Sequence, residues 1–454
     1  MKKFLALILS LVMVLALVAC GGGKDPEKDP EKDPEPTGPV NVVFWNVLTG
    51  NGGDLMQKWA EEFNASQDKY VIEMTYAGAY AEALAKYQST TAGNRPDVVM
   101  VSTEYVAFFA DNPEYFVPVQ KYIDEDKYDT SDIMANLRAS YSDKDGKMLC
   151  MPIGNTVVGF FYNNEVLKAN GIDIANMNSY EEIYDACLTL KKAGVQYPFY
   201  IAPNSIYYTF PVTAEGLDYV DQNNGKDALC TKTLIMEDAK LKATTEKFFQ
   251  ILSDMKKNDM VAPTDLASAD ARQMFVDGNI AFFCATISGT NAIGTLCNWE
   301  LDFGFHPAVT VNKGAKNIGQ CTGGGTLFLG NNNNPAAERG AWEFLKYILG
   351  AQQTADFALA TGYLPTTMSG FNTDTYQNYV KEKFPTATDA MEAQKATPAD
   401  CYNALLPMFG DFHQIGIDYI NNIIADPNQD IAKYTEDFAA ALDECIELYA
   451  LQKG

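Results

Sequence analysis

The side chains that could do chemistry in this chain are mostly aromatic rather than cationic. The sequence holds 25 tyrosines and 25 phenylalanines, and tyrosine combines an apolar face with a hydroxyl group at its edge. These properties suit polyhydroxylated ligands, whose C–H faces stack on rings while their hydroxyl groups form hydrogen bonds. Arginine, which phosphate and carboxylate sites favour for paired contacts, occurs only at Arg95, Arg138, Arg272 and Arg339. For most single rings, the alternative is a place in the hydrophobic core.

The sequence contains no pattern typical of a catalytic or metal centre. His306 and His413 are the only histidines, and neither lies in a serine, cysteine or metal motif, so both are interpreted as structural. The three glycines at 323–325 lack the lysine and the hydroxyl residue of a phosphate loop. The eight cysteines after Cys20 show no zinc spacing; their even number permits disulfides outside the cytoplasm, but apolar neighbours favour buried free thiols. We therefore expect no cofactor, no metal and no enzyme activity.

The first twenty residues have the composition of an export signal. Lys2 and Lys3 give a basic start, residues 4–18 are almost entirely apolar, and a Leu-Val-Ala-Cys sequence ends at Cys20. Such a segment is a secretory signal peptide, too short for a stable membrane span. Its ending resembles the bacterial lipoprotein signal, in which residues 1–19 are removed and the cysteine carries lipid. The alternative is an ordinary signal peptide with an incidental cysteine.

Residues 20–39 have the composition of a spacer. The sequence Lys-Asp-Pro-Glu occurs three times between Lys24 and Glu35, with no apolar residue except proline. Such a segment cannot bury enough surface to fold, and its prolines favour a stalk that reaches on the order of 60 Å. We expect an extracytoplasmic protein that is lipid-anchored to the bacterial cell membrane.

Length and charge limit the remaining possibilities. About 415 residues follow the stalk, which suggests two lobes rather than one core. The net charge of -25 repels nucleic acid and anionic lipid headgroups, so no nucleic-acid partner is expected.

The spacing of apolar residues predicts an α/β fold that ends in helices. Strand, helix, strand, helix and strand alternate over residues 40–101, which indicates a mostly parallel sheet covered by helices. A second α/β region covers residues 159–284, short strands are expected at 303–305 and 325–329, and helices continue to residue 451.

Five short motifs occur in a fixed order along residues 40–454. They are Phe44-Trp45 with 59–63, Ala92-Gly93-Asn94-Arg95-Pro96-Asp97-Val98, Phe161-Tyr162-Asn163-Asn164, Gly278-Asn279-Ile280-Ala281 before Ser288-Gly289, and Thr361-Gly362-Tyr363-Leu364-Pro365. This order resembles the extracellular solute-binding proteins of ABC importers, in the carbohydrate-binding family that includes maltose-binding protein. Within this family, the chain looks most similar to the glycerol-3-phosphate and glycerophosphodiester binders, which share Tyr76, Tyr80 and Glu104.

The resemblance implies two α/β lobes, joined by three crossing strands, with the ligand in the cleft between them and hinge closure around it. The crossings are expected near 151–153, 284–286 and 327–329. The first lobe would then comprise 40–150 with 286–328, and the second 151–285 with 329–454.

The resemblance also implies a set of residues that face the ligand. They are Asn46, Tyr76, Tyr80, Glu104, Asn155, Thr156, Tyr207, Tyr208, Ser288, Gly289, Gly324, Gly325, Tyr363 and Asp411. Tyr207 and Tyr208 lie where relatives place stacking rings, and Ser288 lies at a helix start whose N–H groups can donate to a ligand oxygen. The alternatives are a helix-dipole role for Glu104 and a core or surface position for Tyr76 and Tyr80.

One departure from the phosphate-binding relatives decides the expected ligand. Those relatives have an arginine in the segment that matches 407–411, whereas this chain has none there, so a phosphoester dianion would be poorly compensated. The sequence therefore predicts a protein that binds a sugar or oligosaccharide and delivers it to ABC permease subunits. We expect this protein to be a monomer. A glycerol-3-phosphate or glycerophosphodiester binder of the same fold is the first alternative, and a secreted glycoside hydrolase with two carboxylates is the second.

Overall fold

The strands of this chain form two separate β-sheets, and helices cover them. The computed structural model describes residues 38–307 and 309–453; the predicted signal peptide, Cys20 and nearly all of the predicted stalk lie outside them. The strands are β1 Val40–Asn46, β2 Tyr70–Tyr76, β3 Val98–Ser102, β4 Phe116–Val117, β5 Met151–Pro152, β6 Val158–Asn163, β7 Phe199–Ile201, β8 Phe282–Thr286, β9 Phe303–Pro307 and β10 Gly325–Gly330.

Helices connect and cover these strands. They are α1 Gly50–Ser66, α2 Tyr80–Ser89, α3 Val106–Asp111, α4 Gln120–Asp126, α5 Ala135–Ser140, α6 Asn164–Ala169, α7 Tyr180–Lys192, α8 Ile206–Ala214, α9 Asp221–Asn224, α10 Ala239–Lys257, α11 Ser268–Val276, α12 Thr290–Leu296, α13 Pro335–Ile348, α14 Ala351–Thr361, α15 Met368–Phe371, α16 Asp374–Glu382, α17 Ala387–Ala396, α18 Phe409–Ala425 and α19 Ile431–Lys453. Short 3-10 turns occur at Ala92–Asn94, Thr103–Tyr105, Pro113–Tyr115, Ile174–Asn176 and Ile287–Gly289.

Side-chain caps fix where several of these helices begin. The Asp238 carboxylate accepts two backbone N–H groups at the start of α10, and the Ser179 hydroxyl accepts one at the start of α7. Asn334 caps α13, in which Pro335 is the first residue. Each cap satisfies N–H groups that have no partner inside the helix, so these polar residues set the helix boundaries.

The first sheet has the strand order β2-β1-β3-β10-β4, and β5 also pairs with β10. Strands β2, β1 and β3 run parallel, because α1 and α2 return the chain to the same end of the sheet. Strand β10 runs antiparallel to β3. The predicted α/β fold class is confirmed; β2, β1 and β3 are parallel as expected, whereas β10 pairs antiparallel with β3, β4 and β5.

The second sheet has the order β7-β8-β6-β9, and both of its faces are covered. Phe160 and Phe282 belong to one buried apolar cluster, whereas Phe161 and Phe283 belong to the cluster that also covers the first sheet. Neighbouring residues alternate between the clusters because side chains on a strand point to opposite faces. We call the first sheet with its covering helices lobe 1, and the second sheet with its helices lobe 2.

The structure corrects the expected lobe boundaries in two places. Strand β9 pairs with β6, so residues 303–307 belong to lobe 2 rather than to lobe 1. Helix α13 packs on β1, β2 and β10, and α14 packs on α1, so these helices belong to lobe 1 rather than to lobe 2. Their apolar faces complete the core of the first sheet, a partnership that local periodicity could not reveal.

The other two expected crossings overlap strands that pair within one sheet. Residues 284–286 are part of β8 and pair with β6 inside lobe 2. Residues 327–329 are part of β10 and pair with β3 inside lobe 1. Near the first expected crossing, β5 belongs to lobe 1 and β6, which begins at Val158, belongs to lobe 2.

The C-terminal helices cover lobe 2. Helices α18 and α19 pack on each other and on α10, where Phe438 and Leu442 are buried. No helix in residues 38–307 and 309–453 is long and apolar enough to cross a membrane.

Candidate ligand-binding cleft

Three chain segments lie side by side between the two sheets and form the floor of a candidate cleft. The N–H group of Leu364 donates to the carbonyl oxygen of Asn155 at 2.7 Å. Thr156 and Gly323 exchange two backbone hydrogen bonds, of 2.9 Å and 3.1 Å. The central segment, 154–156, leads from lobe 1 to lobe 2. A ligand on this floor would contact both lobes.

Three consecutive glycines bring polar side chains of lobe 1 close to this floor. A Cβ atom at Gly323 would lie 3.4 Å from a carboxylate oxygen of Glu104, and one at Gly325 would lie 2.9 Å from the hydroxyl oxygen of Tyr80. Gly324 has a φ of +120°, a backbone conformation that residues other than glycine rarely adopt. A Cβ atom at Gly324 would clash with the carbonyl oxygen of Gly154, and one at Gly325 would clash with the Met100 side chain.

Two tyrosine hydroxyl groups from distant parts of the chain meet beside the glycines. The hydroxyl oxygens of Tyr80 and Tyr363 are 3.4 Å apart. Tyr80 is the first residue of α2, and Tyr363 follows Gly362, which ends α14 in a left-handed conformation. Burial raises the pKa of both phenols, so both remain neutral and can donate as well as accept hydrogen bonds.

One carboxylate lies next to the tyrosine pair. Glu104 belongs to the turn that follows β3, and it accepts a hydrogen bond from the hydroxyl group of Ser102. Burial raises the pKa of Glu104, and the bond from Ser102 opposes that shift. Among the described residues, no lysine or arginine contributes to this shift. The carboxylate is therefore an acceptor without a neutralising cation.

The central segment contributes two buried polar atoms without protein partners. Asn155 is fully buried and Thr156 is 5% exposed. The Oδ1 atom of Asn155 accepts a hydrogen bond from the Thr322 hydroxyl group at 2.9 Å. Its Nδ2 atom and the Oγ1 atom of Thr156 have no partner in the described part of the chain. An unpaired buried polar group costs about 1–3 kcal/mol, so a ligand that pairs with these atoms would gain affinity.

Helix α8 brings Phe210 to the cleft, a ring that sequence reasoning did not select. The ring lies 3.9 Å from the position of a Cβ atom on Gly323. Tyr207 shares this helix face by its three-residue spacing and is buried beside Cys284, and burial raises the pKa of its phenol. Tyr208 points elsewhere: its hydroxyl group is bonded to Thr245 at 2.7 Å inside lobe 2. The structure therefore does not bring Tyr208 to the cleft.

An aromatic contact between the lobes was also not predicted from the sequence. The rings of Tyr105, which follows β3, and Phe409, which begins α18, meet edge to face with centroids 6.0 Å apart. Phe409 stacks on His413 at 5.1 Å, and Nδ1 of His413 is 2.6 Å from the Ser205 hydroxyl oxygen. Burial lowers the pKa of His413, so its ring is neutral at pH 7. The sequence signal for this contact is the pair Phe409 and His413, which are four residues apart and therefore share one face of α18.

The residues predicted around position 288 lie beside the Tyr363 turn rather than beside Glu104. The Ser288 hydroxyl group is 2.8 Å from that of Thr286. A Cβ atom at Gly362 would lie 2.6 Å from the Ser288 carbonyl oxygen, so the two turns are in direct contact. Gly289 packs against the ring of Phe161, which lies 3.1 Å from its Cβ position.

Asn46 and Tyr76 mark the paired ends of β1 and β2. The Asn46 side chain forms two hydrogen bonds with the backbone of Leu48 and thereby closes a local turn. Tyr76 is 56% exposed. No hydrogen bond in the described residues joins either side chain to the Tyr80, Glu104 and Tyr363 group.

Asp411 lies outside the candidate cleft. Its side chain is exposed and lines a surface cavity of about 460 Å³ with Gln414, Cys445 and Tyr449. The resemblance implies that Asp411 faces the ligand. The helix instead buries Phe409 and Phe412, because apolar residues three apart share the face that packs on the lobe.

Three of the four arginines are occupied away from this floor, and the fourth, Arg272, lowers the pKa of Tyr200 against the effect of burial. Arg95 lies 3.9 Å above the ring of Tyr115, and Arg339 pairs with Asp126 at 2.8 Å. Arg138 donates to a backbone carbonyl oxygen at 2.7 Å. The groups that act on the pKa of Tyr80, besides burial, are other tyrosines and Glu104. The polar group formed by Tyr80, Glu104 and Tyr363 is therefore neutral to acidic.

Residues 58–386 match the family model of the bacterial extracellular solute-binding proteins. The chain belongs to this family. It is accordingly an extracytoplasmic binding protein of the type that serves ABC importers, with a small-molecule ligand, and not an enzyme. The hydrolase alternative is not supported.

Curated relatives extend over most of the chain. The sn-glycerol-3-phosphate-binding periplasmic protein UgpB of Agrobacterium fabrum is 21% identical over 415 residues, which cover 90% of this chain and 91% of that protein. The UgpB protein of Yersinia pestis is 26% identical over 355 residues, which cover 76% of this chain and 78% of that protein.

Solved structures share the fold. The sugar-binding protein MalE from Xanthomonas citri has a TM-score of 0.73 at 15% identity, and covers 91% of this chain and 98% of its own. UgpB from Mycobacterium tuberculosis, solved with glycerophosphocholine, has a TM-score of 0.71 at 20% identity, and covers 91% of this chain and all of its own. The two-lobed fold predicted from the resemblance is confirmed.

Proposed function

We propose that this protein binds a neutral saccharide between its lobes and delivers it to an ABC permease. The observation that carries the proposal is the Tyr80, Glu104 and Tyr363 group, which offers neutral hydroxyl groups and one carboxylate without a nearby cation. Saccharide hydroxyl groups can donate to the carboxylate and exchange hydrogen bonds with the phenols.

The central segment and the apolar wall support the same ligand class. The unpaired atoms of Asn155 and Thr156 can accept a hydroxyl hydrogen or donate to a hydroxyl oxygen. Phe210 presents an aromatic ring next to them, against which the C–H groups of a sugar ring can pack. The structurally similar MalE protein of Xanthomonas citri is described as sugar-binding.

A calorimetric and thermal-shift panel tests the ligand class. Purified protein is titrated with maltose, maltotriose and other saccharides, and in parallel with glycerol 3-phosphate and glycerophosphocholine. We expect at least one saccharide to raise the melting temperature and to release or absorb heat on binding. A response to the phosphate esters alone would overturn the saccharide proposal.

A glycerol-3-phosphate or glycerophosphodiester ligand is the second candidate, since the curated relatives bear the first name. A phosphate group needs charged or backbone donors that replace its hydration, and the described cleft residues named above supply no arginine. If this candidate is correct, affinity for glycerol 3-phosphate must fall steeply with salt, whereas saccharide affinity must not.

We infer that Cys20 carries lipid and that residues 20–39 separate the binding domain from the membrane as a stalk. The Leu-Val-Ala-Cys sequence and the three charged, proline-containing repeats support this arrangement. Two acyl chains hold a protein stably at a membrane, and tethering raises the local concentration near the permease. The variant Cys20→Ala should lose membrane retention while it binds ligand normally; unchanged retention would overturn the anchor. The binding unit should elute as a monomer in gel filtration.

A further inference from the structure

The C-terminal end of α19 contacts lobe 1, although the rest of this helix covers lobe 2. The buried side chains of α19 end at Ile446. Beyond it, Leu448 is 52% exposed and Leu451 is 78% exposed. Helices in proteins are stabilised mostly by the packing of an apolar face, and this end of α19 buries no such face. Other contacts must therefore hold it in place.

Tyr449 and Lys453 supply these contacts. They are four residues apart and therefore share one face of the helix. The hydroxyl group of Tyr449 donates to Oδ2 of Asp111 at 2.6 Å, and Nζ of Lys453 is 2.8 Å from the same oxygen atom. Nζ also donates to the Asp111 carbonyl oxygen at 2.7 Å and to Oδ1 of Asn112 at 3.2 Å. Three oxygen atoms therefore surround one ammonium group, which has three N–H donors.

The acceptors of these bonds belong to lobe 1. Asp111 is the last residue of α3, and Phe109 of the same helix stacks on Phe328 of β10 with ring centroids 3.9 Å apart. The carbonyl oxygens at the end of a helix have no partner inside it, and Lys453 pairs with one of them. The contact therefore joins the C-terminal end of a lobe 2 helix to the C-terminal end of a lobe 1 helix.

The charged pair is partly shielded from solvent. The side chains of Lys453 and Asp111 are 37% and 28% exposed. Burial, together with the bond to Asp111, raises the pKa of Tyr449, so its hydroxyl group keeps the proton that it donates. Hydrogen bonds to ionised groups are stronger than bonds between neutral groups, which makes this contact more than a loose surface ion pair.

The contact is also separate from the hydrophobic cores. Asp111 lines a cavity of about 310 Å³ that Lys226 also lines. Tyr449 lines the surface cavity of about 460 Å³ that also contains Asp411. Because there is space beside both partners, the contact can break without the loss of core packing.

We propose that Asp111, Asn112, Tyr449 and Lys453 form a latch that holds the two lobes closed. Since the latch joins different lobes, rotation of one lobe away from the other must break it. Its bonds involve no residue of the floor and none of the Tyr80, Glu104 and Tyr363 group. The latch therefore changes affinity through the fraction of closed protein rather than through contact with the ligand, whatever the ligand class.

Small-angle X-ray scattering of the unligated full-length protein tests the latch. We expect the double variant Tyr449→Phe with Lys453→Met to have a larger radius of gyration than the unmodified protein. Lys433→Met is the matched control, because Lys433 lies in the first turn of the same helix and pairs with Glu436 and Asp437 of α19 itself. This control should leave the radius unchanged. An unchanged radius in the double variant would overturn the proposal.

A double-mutant cycle connects the change in shape to this one contact. Asp111→Asn removes the charge and keeps the size of the side chain. It should increase the radius of gyration as Lys453→Met does, and the two substitutions together should increase it no further than either alone. Additive increases would mean that the two residues act separately, which would overturn the latch.

Hydrogen exchange distinguishes the latch from a contact that only stabilises the helix end or lobe 2. In the double variant, the amides of residues 449–453 should exchange about fivefold faster, and those of 438–446 should be unchanged. Faster exchange at 449–453 with an unchanged radius of gyration would mean that the contact fixes the helix end alone. Faster exchange throughout α19 would mean that it stabilises lobe 2. Either result would overturn the proposal.

Discussion

The hydroxyl oxygens of Tyr80 and Tyr363 lie 3.4 Å apart although 283 residues separate them in the sequence. Tyr80 comes from lobe 1, and Tyr363 comes from the turn whose next residue, Leu364, pairs with Asn155. The pair therefore joins a lobe 1 helix to the floor of the cleft. Both phenols can reach one bound ligand only while this arrangement holds.

Removal of the Tyr363 ring should weaken binding more than it weakens the fold. Tyr363→Ala should raise the dissociation constant about 30-fold or more, through lost hydrogen bonding and lost contact area. Tyr363→Phe should cost about fivefold, because only the hydroxyl group is lost. Calorimetry and unligated melting temperatures distinguish the roles. A large loss of unligated stability with unchanged affinity would mean that Tyr363 is a core residue.

Glu104 should lower stability at neutral pH while it supports binding. Burial raises its pKa above the usual value of 4.5, so the folded state favours the protonated form. The corresponding stability is present below about pH 4.5 and is lost as the pH rises through the folded-state pKa. Glu104→Gln should therefore raise the unligated melting temperature at pH 7 by about 1–3 °C and weaken ligand affinity.

The exposed carboxylate Glu73 on β2 provides the control for this experiment. Glu73→Gln should leave both the melting temperature and the affinity nearly unchanged. If Glu104→Gln lowers the unligated melting temperature at pH 7, the buried carboxylate stabilises the fold and our interpretation of its pKa is wrong.

Gly323→Ala should reduce affinity with little loss of stability. The added methyl group would lie 3.3 Å from Thr156 and 3.4 Å from Glu104, so it fits tightly but enters the space assigned to the ligand. Gly93→Ala is the matched control, because nothing lies within 4 Å of its Cβ position. Equal affinities of the two variants would exclude Gly323 from the ligand surface.

Lys226 should help to hold the lobes together at a distance from the ligand. Its Nζ atom, in lobe 2, donates to the carbonyl oxygens of Ala139 and Ser142 at 2.9 Å and 2.6 Å, at the C-terminal end of α5 in lobe 1. The cation is favourable at this helix end, although burial lowers the pKa of Lys226. If ligand binds the closed form, Lys226→Met should lower affinity about fivefold.

Small-angle scattering of the unligated Lys226→Met variant should show a more extended shape than the unmodified protein. Lys144→Met is the control, since the Lys144 side chain is 60% exposed. Unchanged affinity and unchanged scattering in Lys226→Met would show that this contact does not influence closure.

The sequence by itself determined the fold class, the element order and part of the candidate cleft. Strand and helix periods are local properties, which is why the alternation predicted over residues 40–101 matches the order β1, α1, β2, α2 and β3. The glycines at 323–325 and Tyr363 were found because short motifs resemble those of a known family.

Only the tertiary structure decided which residues share the cleft. It brought Phe210, Tyr105 and Phe409 to the lobe junction, and left Tyr208 in the core and Asp411 on the surface. The physical reason is that a side chain's neighbours depend on which helix face packs against which sheet. That choice minimises exposed apolar area over the whole chain, and no local pattern contains it.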